Sequence, residues 1–217
     1  MMHLKSDGNT IKGRKILAEA YQFSENLNDA KLFESAVLMD IYDGNYKSAI
    51  GYLSSKDIDI ISTPMYFDLS SLLYARIYKL MNIPERALAY FDSARITIEA
   101  RILKTPDDSK LYSALGIAYA GLGQKGKAIE TGAKAVELMP ITKDAYFGIY
   151  RIEDQAKIFV MVGEYDKALV QIKFLLSHPG PLSVKILQLD PVWSPLQEIP
   201  EFKKIIRRAP SDRSRTL

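Results

Sequence analysis

The spacing of the glycines at positions 121, 123 and 126 comes closer to a nucleotide-binding motif than any other pattern in this sequence. Residues 121–126 fit the pattern G-x-G-x-x-G, which cradles the pyrophosphate of a dinucleotide, and Lys127 extends the run towards a phosphate-binding P-loop. Both motifs require a β-strand before the glycines, whereas the apolar residues of 111–120 recur with helical spacing. Ala128 also stands where a P-loop has the serine or threonine that binds magnesium. We therefore interpret these glycines as a turn between two helices and predict no nucleotide site.

Side chains suited to acid–base or metal chemistry are few and widely separated. The two histidines, His3 and His178, have no serine or carboxylate near them in a recognisable catalytic arrangement. The adjacent carboxylates at 107–108 and 153–154 would point away from each other on a helix. The absence of cysteine excludes disulfides, thiolate catalysis and cysteine-based metal sites. We therefore predict no catalytic residue, no cofactor and no metal site, and hence a protein that is not an enzyme.

A recurring small residue marks the helices that would position any site. Ala49, Ala87, Ala128 and Ala168 follow one another at intervals of 38, 41 and 40 residues, and a turn with glycine or asparagine precedes each. The clearest copy of the pattern runs through Tyr112, Leu115, Gly116, Tyr119, Gly123, Ala128, Ala135 and Pro140. Its spacing matches the tetratricopeptide repeat (TPR), a helix–turn–helix unit. Gly116 is predicted to lie against the helix that carries Ala128, and one such unit implies neighbours because it cannot bury its apolar face alone.

Residues 66–202 resemble the C-terminal TPR region of large bacterial signalling proteins. The matching segments are residues 87–94, 115–123, 175–177, 181–184 and 189–196, of which the last is more specific than the repeats. In the proteins that this region resembles, the repeats follow a Ser/Thr kinase, a nucleotide cyclase, a winged-helix domain or a TolB-like β-propeller. The resemblance implies a regulatory region of a protein with an upstream effector or sensor domain, and it carries over no catalytic residue.

We predict an all-α fold, a right-handed TPR-like solenoid of about four helix pairs. Residues 1–28 form a polar N-terminus and an extra helix, 29–180 the four pairs, 181–210 a C-terminal capping segment and 211–217 a basic disordered tail. Residues 55–63 contain alternating isoleucines, but we interpret them as a connector, because an isolated strand would have no partner. The next helix is predicted to begin at Pro64.

The capping segment carries the only tryptophan, Trp193, between Pro191 and Pro195. A large aromatic held between two rigid residues is a poor solvated loop, whereas a solenoid must cover the apolar face of its last unit. We therefore predict that Trp193 is buried against the fourth helix pair, with Leu196 and Phe202 beside it.

Composition favours a cytoplasmic protein that does not bind membranes or nucleic acids. The chain has no apolar run as long as a membrane span, and residues 1–7 lack the apolar core of a signal peptide. The net charge of +3 is concentrated at the end of the chain, because residues 201–217 alone sum to +4. Nucleic-acid binding would require aromatic side chains among these basic residues, and only Phe202 is present.

The first helix of each pair lines the concave side of such an array, so its residues that are not needed for packing would face a groove. Helical phase places seven candidate partner-binding residues there, namely Arg76, Lys79, Lys110, Ser113, Tyr150, Glu153 and Lys157. It also places Glu34 of the first pair on this face. A modestly basic groove of this kind favours an acidic protein or peptide as the partner. The alternatives are a small-ligand sensor or enzyme with its site in the groove, homo-oligomerisation through an end of the array, and a face of solvated lysines on a scaffold.

Overall fold

The computed structural model describes residues 8–23, 30–55 and 58–208 of the 217-residue chain. The predictions made for residues 1–7, 24–29, 56–57 and 209–217 therefore lie outside the described residues. Helix accounts for 74% and strand for 3% of the structure, which confirms the prediction of a mostly helical fold. Among the described residues, no helix is both long enough and apolar enough to cross a membrane.

The elements follow one another as helices in pairs, with a short hairpin after the first pair. In chain order they are α1 (Thr10–Phe23), α2 (Ala30–Tyr42), α3 (Tyr46–Ser54), β1 (Ile60–Ser62), β2 (Phe67–Leu69), α4 (Ser70–Leu80), α5 (Pro84–Ile102), α6 (Ser109–Gly121), α7 (Lys125–Leu138), α8 (Ala145–Met161), α9 (Tyr165–Ser177), α10 (Val184–Leu189), the 3₁₀-helix η1 (Pro191–Leu196) and α11 (Pro200–Arg208). Helices α2 and α3, α4 and α5, α6 and α7, and α8 and α9 pack as consecutive pairs. Helix α1 packs on α2. Nη2 of Arg14 lies 2.8 Å from Oδ1 of Asp40 and 2.7 Å from Oδ2 of Asp43.

The turn inside each pair has the same backbone geometry. Its left-handed residue is Gly44, Asn82, Gly123 or Gly163, with φ between 57° and 77°. The residue that follows donates its N–H to the carbonyl five positions earlier, at 2.8–2.9 Å, as in Asn45 to Asp40 and Gln124 to Tyr119. Glycine and asparagine are the residues that adopt this conformation at least cost. The predicted left-handed residue is thus confirmed in every one of the four turns.

The alanine that opens each second helix is buried, as its spacing predicts. Ala49, Ala87, Ala128 and Ala168 are each at most 4% exposed.

Close contact between the helices of the third pair explains Gly116. A Cβ at Gly116 would lie 3.3 Å from the carbonyl oxygen of Ala128 and 3.3 Å from the nitrogen of Gly132, both on α7. It would also lie 2.6 Å from Cδ1 of Ile158 on α8. The predicted crossing of Gly116 against the Ala128 helix is therefore confirmed, and α8 closes the same site from the next pair.

Replacing Gly116 by leucine is expected to lower the free energy of unfolding by about 1–3 kcal/mol, because the new side chain overpacks a three-helix contact. Urea denaturation monitored by circular dichroism measures the change. Gly51 provides the matched control, since it also lies in a helix but has no atom within 4 Å of an added Cβ. Gly51→Ala should be neutral or stabilising by up to about 1 kcal/mol. Equal stability of the Gly116→Leu variant and the unsubstituted protein would contradict the packing argument.

The connector predicted at residues 55–63 and the helix predicted to begin at Pro64 are both wrong. Strand β1 pairs with β2 in an antiparallel hairpin that places Ile61 opposite Asp68, and α4 begins only at Ser70. Pro64 lies in the hairpin loop. There the hydroxyl oxygen of Thr63 accepts the N–H of Met65 at 3.2 Å and that of Tyr66 at 3.1 Å.

The hairpin forms because the chain supplies a strand partner immediately after the loop. Ile61 is 1% exposed and packs in a cluster with Phe33 and Val37 of α2. Phe67 and Leu69 instead pack with the second and third pairs. Strand β1 thus packs on the first helix pair, and β2 packs on the second and third pairs. This packing stabilises a hairpin that would be marginal alone.

The C-terminal segment, from α10 to α11, is buried together with the fourth helix pair. Trp193, Leu196 and Phe202 are all 0% exposed and share a hydrophobic cluster with Leu175 of α9, which confirms the predicted burial of Trp193. The same cluster includes Met39 of α2. The apolar core around the C-terminal segment is therefore continuous with that of the first helix pair, which the sequence analysis does not predict.

Candidate functional site

The predicted partner-binding residues do not form one surface in the structure. Helices α4 and α8 bring Arg76, Glu153 and Lys157 into one charged cluster, with Tyr150 beside Glu153. Lys110 lines a cavity near the N-terminus of α6. The other two residues, Lys79 and Ser113, have no described contact with the charged cluster.

Arg76 is paired with a carboxylate of the chain itself. Its Nη2 donates to Oδ1 of Asp190, which stands between α10 and η1 and has a side chain only 6% exposed. The same carboxylate oxygen accepts the N–H of Val192 at 2.9 Å and so caps η1. Burial alone would lower the pKa of Arg76, but Asp190 raises it above its ordinary value. The C-terminal segment thus occupies the position on this guanidinium that an acidic partner would take.

Lys157 is paired within its own helix. Its Nζ lies 2.9 Å from Oε1 of Glu153, one turn earlier, and 4.0 Å from Oδ1 of Asp154. Glu153 has a side chain only 9% exposed, so this pair is shielded from solvent. Burial acts to lower the pKa of Lys157, but the carboxylates of Glu153, Asp154 and Asp190 raise it above its ordinary value.

Two further carboxylates, Glu34 and Asp68, belong to the cluster. Asp68 lies on β2, in the segment that was wrongly predicted to be helical. Glu34 is 7% exposed and accepts a hydrogen bond from the hydroxyl of Tyr66. Burial, with the charge of Asp68, raises the pKa of Glu34 to about 8. Burial also raises the pKa of Asp68 to about 6. Carboxylates therefore outnumber cations around Arg76 and Lys157, and the modestly basic groove expected from the sequence is not found there.

These raised pKa values predict that the protein loses stability as the pH rises. The unfolded chain releases the proton of Glu34 near its ordinary pKa of 4.5, whereas the folded protein holds it to about 8, so folding binds protons between these values. The free energy of unfolding should fall across this window, by on the order of 1–3 kcal/mol. Asp68 contributes the same sign between 3.8 and about 6.

Glu34→Gln should therefore flatten the pH dependence of unfolding between about pH 6 and pH 8, which lies above the pKa of Asp68 and below that of Glu34. Urea midpoints measured across this range for the variant and the unsubstituted protein provide the comparison. Glu130→Gln serves as control, because Glu130 is exposed. Parallel pH profiles for all three proteins would contradict the buried, protonated state of Glu34.

Lys79 and Ser113 lie in contrasting surroundings. Lys79 is exposed in the last turn of α4, although partial desolvation lowers its pKa. Ser113 is 4% exposed on α6, and its hydroxyl has no hydrogen-bond partner among the described residues. Lys79 is thus accessible to a partner in the described structure, and Ser113 is not.

A half-open cavity of about 250 Å³ lies between the hairpin loop, the N-terminus of α6 and helix α8. Its walls are Pro64, Met65, Asp107, Asp108, Ser109, Lys110, Met139, Phe147 and Arg151. Nζ of Lys110 donates to the carbonyl oxygen of Thr63 at 3.1 Å. Asp108 caps α6 by accepting the N–H of Lys110 at 3.0 Å. The sequence analysis does not predict the cavity, because the hairpin forms one of its walls.

Arg151 is the most deeply buried charged side chain of this region, with 1% exposure. Its Nη2 donates to the carbonyl oxygen of Met65 and lies 3.3 Å from Oδ2 of Asp154. Its Nη1 has no hydrogen-bond partner among the described residues. No signal in the sequence distinguishes Arg151 from a solvated arginine on a helix.

Gly123 lies in the turn between α6 and α7, while Gly121 is the last residue of α6 and Gly126 lies in the first turn of α7. A helix precedes the turn, as predicted, and not the strand that a nucleotide-binding motif requires. Within the described ranges, no group of three or more histidines or carboxylates could hold a metal ion.

Comparison with protein-family models, with curated proteins and with solved structures found no match to this chain. The resemblance to TPR regions of bacterial signalling proteins therefore stays a prediction.

Proposed function

We propose that this protein is a non-catalytic protein-interaction scaffold, built as a TPR-like right-handed solenoid of four helix pairs. The main support is the regular repeat of one local structure. Four turns share the same left-handed residue and hydrogen bond, and each is followed by a buried alanine at intervals of 38–41 residues. Repeated helix pairs of this type build extended surfaces that bind other proteins.

We further propose that it is the cytoplasmic regulatory region of a larger signalling protein and binds an acidic peptide or protein segment. Arg76 and Lys157 are already paired with Asp190 and Glu153, so they are poor candidates for the contact. Of the other candidates on the first helices, Lys79 is exposed and Tyr150 is partly exposed, whereas Nζ of Lys110 already donates to the carbonyl oxygen of Thr63. Tyr150 packs edge-on against Tyr146, which is 60% exposed and extends the same surface.

Affinity capture from the source cell, followed by binding of the purified partner, tests this proposal. The combined variant Lys79→Glu/Tyr150→Ala should weaken the purified complex at least about tenfold, because it reverses a charge and removes an aromatic contact. The matched control is Lys47→Glu/Tyr165→Ala, which makes the same changes at partly or fully exposed positions on the second helices α3 and α9. Equal loss of affinity in both variants would contradict a site on the first helices.

The same preparations distinguish the alternatives. Sedimentation that shows a stable dimer through α1, with no captured partner, would favour homo-oligomerisation. A small-ligand site is the second candidate function, and the buried Arg151 beside the cavity specifically favours it.

A further inference from the structure

The unpaired nitrogen of Arg151 is the group in the described structure that most clearly lacks a partner. A guanidinium is always charged, and a buried donor without an acceptor costs free energy because it has lost its water. Two contacts to Nη2 hold the side chain in place, one to Met65 and one to Asp154. Nη1 has no acceptor among the described residues. An immobile charged donor beside a cavity is preorganised to bind an anionic oxygen.

The charges around the cavity favour a ligand with both signs. Lys110 adds a second cation to that of Arg151. Asp107 and Asp108 add two negative charges to the cavity wall, so a multiply charged anion such as phosphate would be repelled. Asp108 already caps α6, whereas Asp107 is exposed and has no hydrogen bond described. A ligand that carries a carboxylate and an ammonium group matches this arrangement.

The remaining walls favour an apolar substituent on that ligand. Pro64, Met65, Met139 and Phe147 contribute apolar surface. The volume of the cavity is about 250 Å³. It lies below the roughly 300–1,000 Å³ of pockets for drug-sized ligands, which favours a small metabolite.

Access to Nη1 requires a change in the side chains around it. Less than 1 Å² of this nitrogen is exposed to solvent, so a ligand oxygen reaches it only when a wall side chain moves. Met65 and Met139 are unbranched and rotate about three bonds, which allows them to repack around a ligand at low cost.

We propose that this cavity binds a free apolar amino acid of about the size of leucine. Its carboxylate accepts hydrogen bonds from Nη1 of Arg151 and from Lys110, its ammonium group pairs with Asp107, and its side chain packs on Met139 and Phe147. The end of a peptide fits less well, because a C-terminus lacks the free ammonium group and an N-terminus lacks the carboxylate. This site is independent of the proposed partner surface, since it uses neither Lys79 nor Tyr150.

Isothermal titration of the full chain with L-leucine tests the proposal. Saturable binding is expected, with leucinamide and 4-methylpentanoate each at least about tenfold weaker, because each lacks one charged group. Glycine should also bind at least about tenfold more weakly, because it lacks the apolar side chain. A specific site of this kind should bind leucine with a Kd below about 10 mM. The absence of saturable binding up to that concentration would overturn the proposal. Equal affinity for leucine and either comparator would overturn it as well.

Two variants locate the binding. Asp107→Asn changes an exposed residue and is expected to fold normally, while reducing the affinity for leucine about tenfold but not that for 4-methylpentanoate. Arg151→Lys keeps the charge but removes the fork of donors, and it should reduce the affinity for both compounds. Asp166→Asn, at an exposed position on α9, is the control and should leave binding unchanged. Unchanged leucine binding in the Asp107→Asn variant, or a crystal structure with leucine present and only water at Nη1, would show that the site is not the one described.

Discussion

Replacement of Trp193 by alanine is expected to lower the free energy of unfolding by about 3–5 kcal/mol. The side chain is 0% exposed, as are Leu196 and Phe202 in the same cluster. Truncation would leave a cavity where the C-terminal segment packs against α8 and α9. Because the same cluster also contains Met39 of α2, the loss should weaken packing beyond the fourth helix pair. The exposed apolar surface should also promote aggregation.

A phenylalanine at the same position should cost much less, at most about 1.5 kcal/mol, because it keeps most of the apolar volume. It also removes an indole N–H that has no hydrogen-bond partner among the described residues. Urea denaturation of the two variants provides the comparison. Trp193 is the only tryptophan in the chain, so the tryptophan fluorescence of the unsubstituted protein reports its environment. A blue-shifted emission that iodide quenches poorly is expected. A red-shifted and readily quenched emission would instead indicate an exposed indole available for binding a partner.

The features that could be predicted from the sequence are those with local causes. A left-handed turn residue must be Gly or Asn, and a close helix crossing needs Gly or Ala, so single letters reveal both. For this reason Gly123 and Gly116 were placed correctly without any knowledge of the fold. Trp193 was placed correctly because a large aromatic beside the last repeat has few alternatives to burial.

The features that could not be predicted depend on contacts between distant parts of the chain. The hairpin was missed because three residues on each side of a loop carry too little pattern to indicate pairing, and Pro64 resembled a helix start. Asp190 lies 114 residues from Arg76, and nothing in the type of either residue indicates that they meet. The cavity depends on the unpredicted hairpin, because the hairpin loop forms one wall and Arg151 donates to the carbonyl oxygen of Met65 in that loop.

Burial also explains why helical phase was an unreliable guide to the partner-binding surface. Phase identifies the side of a helix, but it does not show whether another segment covers that side. The C-terminal segment covers part of it, so Arg76 and Glu153 became members of an internal charged cluster while Lys79 stayed exposed. A sequence argument can place these residues on the same face, but only the long-range closure decides which of them a partner could reach.

The ion pair of Arg76 and Asp190 permits a direct test of this interpretation. Asp190→Ala is expected to lower the free energy of unfolding by about 3 kcal/mol, since it leaves Arg76 partly buried without its partner. This value is at the lower end for buried pairs because the side chain of Arg76 retains 27% exposure. Loss of the cap on η1 adds to the cost, by about 1 kcal/mol. Asp190→Asn keeps an oxygen for that cap and should therefore be less destabilising than Asp190→Ala.

The double variant Arg76→Met/Asp190→Asn should recover most of the stability lost in Asp190→Asn, because it removes both charges together. A double-mutant cycle measures the coupling by urea denaturation of the unsubstituted protein, Arg76→Met, Asp190→Asn and the double variant. A coupling of about 1–3 kcal/mol is expected for two residues in direct contact. If Arg76 instead serves a partner, Arg76→Met alone should leave stability unchanged and weaken the captured complex. Stability and partner binding measured on the same four proteins therefore determine whether this arginine holds the C-terminal segment in place or binds another molecule.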